Sequence, residues 1–279
     1  MTLLGGGINS DFLSWTVSHA MIEDVLFYSL AWTIYYHSFS YCISPKFLGK
    51  YSIKYLKLLT SEQKAYWNMS FVSSSHALVI SGFAVYTVII DKFWSDWPQL
   101  NMNMTTPLSH QINHIANGYF LYDLCLTIYY RKEKSWKKSY PTVMIHHSVV
   151  FIANWSICHF NVGHAYALIG VFCELTTPFV NNRWLLHSIR ENKTVAYFVN
   201  GIVLVCLWFL VRIILPLISF YPLWIDTQRG IEQSWSVFVI VGMTYTIIYP
   251  LQLYWFSKLI AGAIRAMKSL DDGVANKNE

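Results

Sequence analysis

The sequence predicts an all-α membrane protein with about seven transmembrane helices, and three observations support this fold class. The composition is 54% hydrophobic and only 13% charged, with a mean hydropathy of +0.36, far from the balance of a soluble domain. Several windows hold about 18 or more largely apolar residues, enough to cross a hydrocarbon core of roughly 30 Å. The alternation typical of a transmembrane barrel is missing, so the spans should be helices.

Seven spans are predicted along the chain. They lie near residues 24–43, 69–90, 112–130, 142–159, 163–180, 196–224 and 235–257. Residues 1–20 contain no Lys or Arg, so they do not form a signal peptide with a basic n-region, and the first span is expected to stay. Residues 1–62 are therefore predicted to form an N-terminal segment with this span and a basic cytosolic loop, and residues 266–279 to form a polar cytosolic tail.

The distribution of Lys and Arg predicts the orientation in the membrane. Of these 20 residues, 17 fall in alternate loops and in the C-terminal tail, while only Lys92 and Arg229 fall in the opposite loops and Arg212 lies inside span six. Basic residues are retained on the cytosolic side during insertion. The N-terminus is therefore predicted to be lumenal or extracellular, and the C-terminus cytosolic.

Two glycosylation sequons fall on opposite sides of this predicted topology. Asn103-Met-Thr lies in a loop placed on the lumenal side, where a glycan is chemically possible, whereas Asn192-Lys-Thr lies on the cytosolic side. The net charge of +5 is explained by the cytosolic loops. A basic face of this kind contacts anionic lipid headgroups, and no nucleic-acid partner is predicted.

Ionisable side chains inside the spans are costly to keep there, so by default they indicate a site. We counted inward from the predicted cytosolic end of each span, at about 1.5 Å per residue; four helices bring such residues to one level roughly 6–11 Å below the boundary. This predicted polar layer consists of His76, Asp123, His146, His147 and Glu174. A purely structural layer is the alternative, since polar side chains also bond across helices.

Three further polar residues are predicted to contact a bound lipid, together with His76. Tyr249 of span seven reaches a similar depth, and Asn154 follows His147 by seven residues and so returns to the same helix face. Arg212 is predicted to lie deeper than the layer, four residues before Pro216, a candidate kink in span six.

The adjacent histidines are predicted to have separate roles. Consecutive residues on a helix diverge by about 100°, so His146 and His147 cannot both ligate one metal ion in the way that an i, i+4 pair can. The five cysteines show no metal-ligand spacing either, and no metal site is predicted. A buried carboxylate must be neutral or paired, and the nearest candidate partners of Asp123 and Glu174 in the layer are the histidines.

Four blocks of the sequence resemble, in the same order, the TLC domain family, which includes ceramide synthases, a translocon-associated membrane protein and a neuronal ceroid lipofuscinosis protein. The blocks are WNMSFVSSSHALVISG (67–82), GYFLYDLCL (118–126), HHSVVFIANW (146–155) and CELTTPFVNNRW (173–184). The last block is most similar to the branch called TLC domain-containing protein 4. The resemblance covers residues 63–265 and implies an endoplasmic-reticulum or related membrane protein with six helices around an acyl-chain cavity, plus one preceding helix.

The resemblance also implies roles for individual residues. In ceramide synthases the paired histidines, matched here by His146 and His147, are needed to transfer an acyl group from acyl-CoA to a sphingoid amine. Asp123 and Glu174 would then orient the imidazole that acts as base or nucleophile. Ceramide synthases carry two aspartates in the last block. This chain keeps a carboxylate at one of these positions, Glu174, and lacks it at the other, Thr177.

Three functions therefore remain open from the sequence. The first is binding or regulation of acyl-chain lipids in membrane lipid homeostasis. The second is ceramide synthase-like acyl transfer with acyl-CoA as co-substrate and no other cofactor, and the third is a cargo or trafficking receptor. The expected partners are membrane lipids or acyl-CoA, and the oligomeric state is not predicted.

Overall fold

A computed structural model describes the backbone of residues 10–43, 54, 57–95, 102–132, 140–230 and 242–275, and the side chains of residues 19–42, 54, 57–95, 102–132, 140–225 and 242–266. Part of the predicted basic pattern lies outside the described side chains, as does the start of the predicted seventh span at residues 235–241. The basic residues concerned are Lys46, Lys50, Lys134, Lys137, Lys138, Arg229, Lys268 and Lys277.

The described residues form helices joined by short turns and loops, and they contain no strand in the ranges given above. We number its α-helices in chain order. They are α1 (Ser10–Ser38), α2 (Ser61–Ile89), α3 (Pro107–Tyr129), α4 (Tyr140–Phe160), α5 (His164–Cys173), α6 (Thr177–Ser188), α7 (Val195–Trp208), α8 (Leu215–Gly230) and α9 (Tyr249–Ala275). A 3₁₀ turn, Glu174–Thr176, joins α5 to α6, and π-helical segments occupy Phe39–Ile43, Phe209–Ile214 and Thr244–Ile248.

The all-helical prediction is confirmed for the described residues, and every predicted span overlaps a helical segment. Four helical segments are long and apolar enough to cross a membrane, namely Ser61–Ile89, Tyr140–Phe160, Val195–Ile225 and Thr244–Ala266. Helix α3 is less apolar because its first half carries His110, Gln111, Asn113 and His114. Hydropathy and length thus establish the membrane character of the chain through these four segments.

Local sequence signals start the helices at defined residues. The Thr60 hydroxyl accepts from Gln63 N at the start of α2, and the Gln63 side chain accepts from Thr60 N in return. Thr106 and Ser109 form the same reciprocal capping box at the start of α3. Each box satisfies backbone N–H groups that have no partner inside the helix, so it fixes where the helix begins.

The helices from α2 onward contact one another in a closed order. Helix α2 packs on α3, α3 on α4, and α4 on the π-helical segment that leads into α9; α9 packs on α7, α7 on α6, and α6 returns to α2. Helix α1 packs mainly on α3. We call the closed set the helix ring, and the candidate site lies within it.

Helix α1 reaches α3 at Gly118. A Cβ atom added there would lie 2.4 Å from Tyr28 Cβ and 2.9 Å from Ser29 N, closer than any side chain permits. Gly118, which lies in the GYFLYD block, therefore allows the backbone of α3 to contact the Tyr28 side chain of α1. This contact explains a glycine in a helix interior, where it otherwise costs about 1 kcal/mol.

Candidate functional site

Two cavities inside the helix ring meet at a small set of polar side chains. The first is about 180 Å³ in volume and the second, which is more open, about 570 Å³. His146, Glu174 and Arg212 line both cavities, and we call these three residues the junction. These polar residues come from three different segments, α4, the 3₁₀ turn and the second π-helical segment, and Phe120 of α3 also lines both cavities.

The first cavity is mostly apolar away from the junction. Its wall includes Met102, Val162, Leu223, Ile169 and Val171. An engineered apolar cavity of roughly 150 Å³ stays dry and binds benzene, so a cavity of about 180 Å³ can hold a segment of an apolar ligand. The second cavity differs in charge, since Arg183, His187 and Lys258 line it but do not line the first.

Asp123 and His147 form an ion pair inside the protein. Nδ1 of His147 lies 2.5 Å from Oδ2 of Asp123, and the two side chains are 20% and 9% exposed. The distance is that of an ion pair, but Nδ1 makes no aligned hydrogen bond with a described residue. The hydroxyls of Tyr119 and Thr127 donate to the Asp123 carboxylate at 3.3 and 3.4 Å. His147 also lines the second cavity, so the structure pairs this carboxylate with a histidine of the predicted layer.

Glu174 is held between a hydroxyl and a guanidinium. The Thr177 hydroxyl donates to Glu174 Oε2 at 2.7 Å, and Arg212 Nη2 lies 3.9 Å from Glu174 Oε1. Thr177 is one helical turn further along the chain, where its hydroxyl can reach back to the carboxylate. Thr177 stands at the second of the two positions where ceramide synthases carry aspartates. Here its hydroxyl donates a hydrogen bond to Glu174, which stands at the first.

Arg212 was predicted to lie deeper than the layer, but its guanidinium contacts Glu174, a residue of that layer, at the junction. Its Nε donates to Cys173 O at 3.0 Å and to the Thr176 hydroxyl at 2.7 Å, and its Nη1 donates to Gln252 Oε1 at 3.0 Å. The guanidinium carbon also lies 4.5 Å from the centre of the Trp208 ring, a cation–π contact. Only 5% of this residue is exposed.

The predicted difference in depth between Arg212 and Glu174 was too large, because the helix that carries Glu174 continues further than its apolar window. The predicted span ended at residue 180, but α6 continues to Ser188. Glu174 is thus 14 residues, or about 21 Å, from that helix end. Arg212 is 17 residues, or about 26 Å, from the start of α7 at Val195, so the two positions differ by about 5 Å and the long Arg212 side chain reaches Glu174.

His146 is the one predicted histidine that lines both cavities. Its ring meets Trp255 edge to face, with ring centres 5.3 Å apart. Its Nδ1 is buried without a hydrogen-bond partner in the described part of the chain. Unlike His147, it has no carboxylate contact there, so the two neighbours differ in their surroundings as the helix geometry predicts.

The remaining predicted residues divide between the cavity and the helix packing. Asn154 and Tyr249 line the first cavity, and Asn154 also donates to Asn113 O at 2.9 Å. His76 lines neither cavity. Its ring stacks on Tyr119 at 3.7 Å, and neither ring nitrogen has a hydrogen-bond partner among the described residues. It touches the site through Tyr119, the donor to Asp123. The exposed Asn103 lies in the loop before α3.

A second polar cluster lies near the start of α3. His164 Nδ1 is 3.2 Å from the Ser109 hydroxyl and 3.1 Å from Asn113 Nδ2. Asn113 Nδ2 can only donate, so His164 Nδ1 acts as an acceptor and the ring proton lies on Nε2. All three side chains are fully buried, so this cluster packs the start of α5 against the start of α3.

Sequence analysis missed three residues that hold the junction, Gln252, Thr176 and Trp208. Gln252 follows Tyr249 by three residues and so lies on the same helix face, a signal that could have identified it. Thr176 and Trp208 carry no such signal, because neither is ionisable and both residue types are common in membrane helices.

Comparison with known proteins places this arrangement in a family. The family model of the TLC domain matches residues 66–261, more than half of the chain and all of the junction. The chain belongs to the TLC domain family. The TLC domain region contains the Asp123–His147 pair, the junction and the wall of both cavities.

Relatives of this TLC domain chain align over most of their length. TLC domain-containing protein 4-A of Xenopus laevis is 27% identical over 85% of this chain and 90% of its own. TLC domain-containing protein 4 of Homo sapiens is 27% identical over 76% of this chain and 79% of its own. TLC domain-containing protein 4 A of Dictyostelium discoideum is 25% identical, with 85% and 88% covered.

Proposed function

We propose that the protein binds an acyl-chain lipid within its helix ring and takes part in membrane lipid homeostasis. The observation that carries this proposal is the first cavity, whose apolar wall ends at the polar junction of His146, Glu174 and Arg212. A cavity of this kind suits a ligand with an apolar chain and one polar group, since a few placed polar side chains orient a ligand in an apolar pocket.

The proposal includes an architecture and a location. The closed contact order of the helix ring supports a TLC-type barrel of six membrane-crossing helices, with α1 as a seventh outside it. The distribution of Lys and Arg supports a lumenal N-terminus and a cytosolic C-terminus. The basic second cavity then opens toward the cytosol, and the TLC domain resemblance suggests the endoplasmic reticulum.

A cavity-filling variant tests the lipid proposal. Gly170 lines the first cavity, and a Cβ added there would meet nothing within 4 Å. Gly170→Leu should therefore fill the cavity with little strain in the helix. Gly82→Leu is the matched control, because Gly82 is also an exposed and unobstructed helical glycine but lines neither cavity.

The readout is the lipid that co-purifies with each variant, identified by native mass spectrometry and solvent extraction. We expect a specific acyl lipid with wild type and Gly82→Leu, and its loss from Gly170→Leu. Recovery of only annular phospholipid from wild type, or of the same lipid from both variants, would contradict the proposal.

Acyl transfer is a second candidate function, and the Asp123–His147 ion pair favours it. A histidine held by a carboxylate is a suitable general base, and His147 faces the basic second cavity. His147 would take the proton of an attacking amine or hydroxyl. A bond would form between that nucleophile and the carbonyl carbon of an acyl-CoA thioester, the carbon–sulfur bond would break, and the CoA thiolate would take up a proton.

Release of free thiol from acyl-CoA by the purified protein tests this second function. Release should require the amine or hydroxyl acceptor and should fall at least about 100-fold in His147→Ala, since general base catalysis contributes roughly that much or more. Wild-type protein that binds the lipid but releases no thiol with any tested acceptor would leave binding as the function and exclude transfer.

A further inference from the structure

We propose that the junction selects an uncharged acyl carbonyl, as in an ester, amide or thioester, and disfavours a free carboxylate. This inference rests on the proposed binding of an acyl lipid and concerns the polar group of that ligand. It follows from the charges that surround the meeting point of the two cavities and from one nitrogen of Arg212.

Each positive group near the junction has a carboxylate beside it. Arg212 is accompanied by Glu174 at 3.9 Å, and His147 by Asp123 at 2.5 Å. The Asp123 carboxylate compensates the imidazole of His147 when that ring is protonated, and a neutral ring contributes no positive charge. The described side chains at this level therefore offer no uncompensated positive charge to an anionic ligand.

Arg212 nevertheless has hydrogen-bonding capacity to spare. Its Nε and Nη1 donate to Cys173 O, to the Thr176 hydroxyl and to Gln252 Oε1. Among the described residues, its Nη2 has only the 3.9 Å contact to Glu174, which is longer than a hydrogen bond. Because Arg212 lines both cavities, Nη2 is placed to donate to a carbonyl oxygen of a lipid whose chain occupies the first cavity.

A carboxylate at the same place would meet Glu174. Two carboxylates would then share one guanidinium in a largely buried site, where like charges interact more strongly than in water. Thr177 holds Glu174 in place through its 2.7 Å hydrogen bond, so the carboxylate is not free to turn away. The other basic side chains, Arg183, His187 and Lys258, line only the second cavity.

The test compares two ligands with the same acyl chain, a long-chain fatty acid and its methyl ester, of which only the acid can carry a charge at the polar end. Binding of each to purified wild-type protein is measured at a pH where the acid is ionised. We expect the ester to bind at least about tenfold more tightly, equivalent to roughly 1.4 kcal/mol. Equal or tighter binding of the acid overturns the inference, while failure of both ligands to bind contradicts the proposed function itself.

Glu174→Gln should remove this selectivity. The amide keeps an acceptor for Thr177 but removes the negative charge that compensates Arg212, so the acid should gain at least about tenfold relative to the ester. Glu23→Gln is the control, because Glu23 is exposed on α1, and it should keep the wild-type ratio. An unchanged ratio in a folded Glu174→Gln protein overturns the inference; if this variant does not fold, the wild-type ratio decides.

Discussion

Nδ1 of His147 lies 2.5 Å from Oδ2 of Asp123, across the contact between α4 and α3, whereas the neighbouring His146 meets no carboxylate among the described residues. We therefore predict unequal effects of the two alanine variants on folding. His147→Ala leaves the buried Asp123 without its partner and should lower the free energy of unfolding by about 1–3 kcal/mol. His146→Ala removes an aromatic contact with Trp255 and should cost less. Unfolding in detergent or lipid nanodiscs, followed by fluorescence, measures both.

The double variant Asp123→Asn with His147→Ala separates pairing from packing. If the ion pair carries the effect, the double variant should be hardly less stable than His147→Ala alone, because the partner is already lost. Additive losses from Asp123→Asn and His147→Ala would show that the contact contributes no coupling energy.

A second prediction concerns the hydroxyl that holds Glu174. Thr177→Val keeps the shape of the side chain but removes the 2.7 Å hydrogen bond to Oε2, and should lower the free energy of unfolding by about 1 kcal/mol. Thr246→Val serves as control, because that hydroxyl is exposed and bonds only to Gly242 O within its own helical segment. The same unfolding assay measures both variants. Equal losses in the free energy of unfolding would show that the Thr177–Glu174 hydrogen bond adds no stability beyond that of the control hydroxyl.

The approach of α1 to α3 gives a third prediction. Gly118→Ala places a Cβ atom 2.4 Å from Tyr28 Cβ, so despite the better helix propensity of alanine it should be destabilising by about 1–3 kcal/mol. Gly82→Ala, which meets nothing within 4 Å, should instead be neutral or stabilising by up to about 1 kcal/mol. Thermal unfolding distinguishes the two, and a stabilised Gly118→Ala protein would refute the contact.

Topology gives a fourth prediction, since the two exposed sequons, Asn103 and Asn192, fall on opposite sides of the predicted membrane orientation. The expressed protein should carry a glycan that endoglycosidase removes and that Asn103→Gln abolishes, whereas Asn192→Gln should leave its electrophoretic mobility unchanged. Loss of a glycan through Asn192→Gln, or a protease-protected C-terminal tag in sealed microsomes, would contradict the predicted orientation.

Much of the fold follows from the sequence because apolar windows of about 18 residues have few structures open to them in lipid. The pairing of Asp123 with a histidine was also predictable, since a buried carboxylate needs a partner and the layer offered few. Both inferences depend on one physical constraint, the cost of leaving a polar or charged group without a partner in an apolar environment.

The Arg212 contact was not predictable in the same way. Depth was counted from the edges of apolar windows, but α6 remains helical through polar residues that bond to neighbouring helices; Asn181, for example, donates to Ser70 O of α2 at 2.9 Å. The Arg212 partner Gln252 comes from a segment 40 residues further along the chain. Tertiary contacts, not local hydropathy, decide where such a helix ends.

The two π-helical segments beside the junction are the places where their helices can lose a residue without changing which face is interior. Arg212 lies within Phe209–Ile214, and Gln252 follows Thr244–Ile248 by four residues. A π-bulge holds one residue more than the α-helical turn it replaces. Removing a single residue there would let the segment relax to a regular α-helix, and the residues beyond it would keep their faces. A one-codon deletion in a regular stretch of the same helix would instead turn everything beyond it by about 100° and exchange lipid-facing for interior side chains.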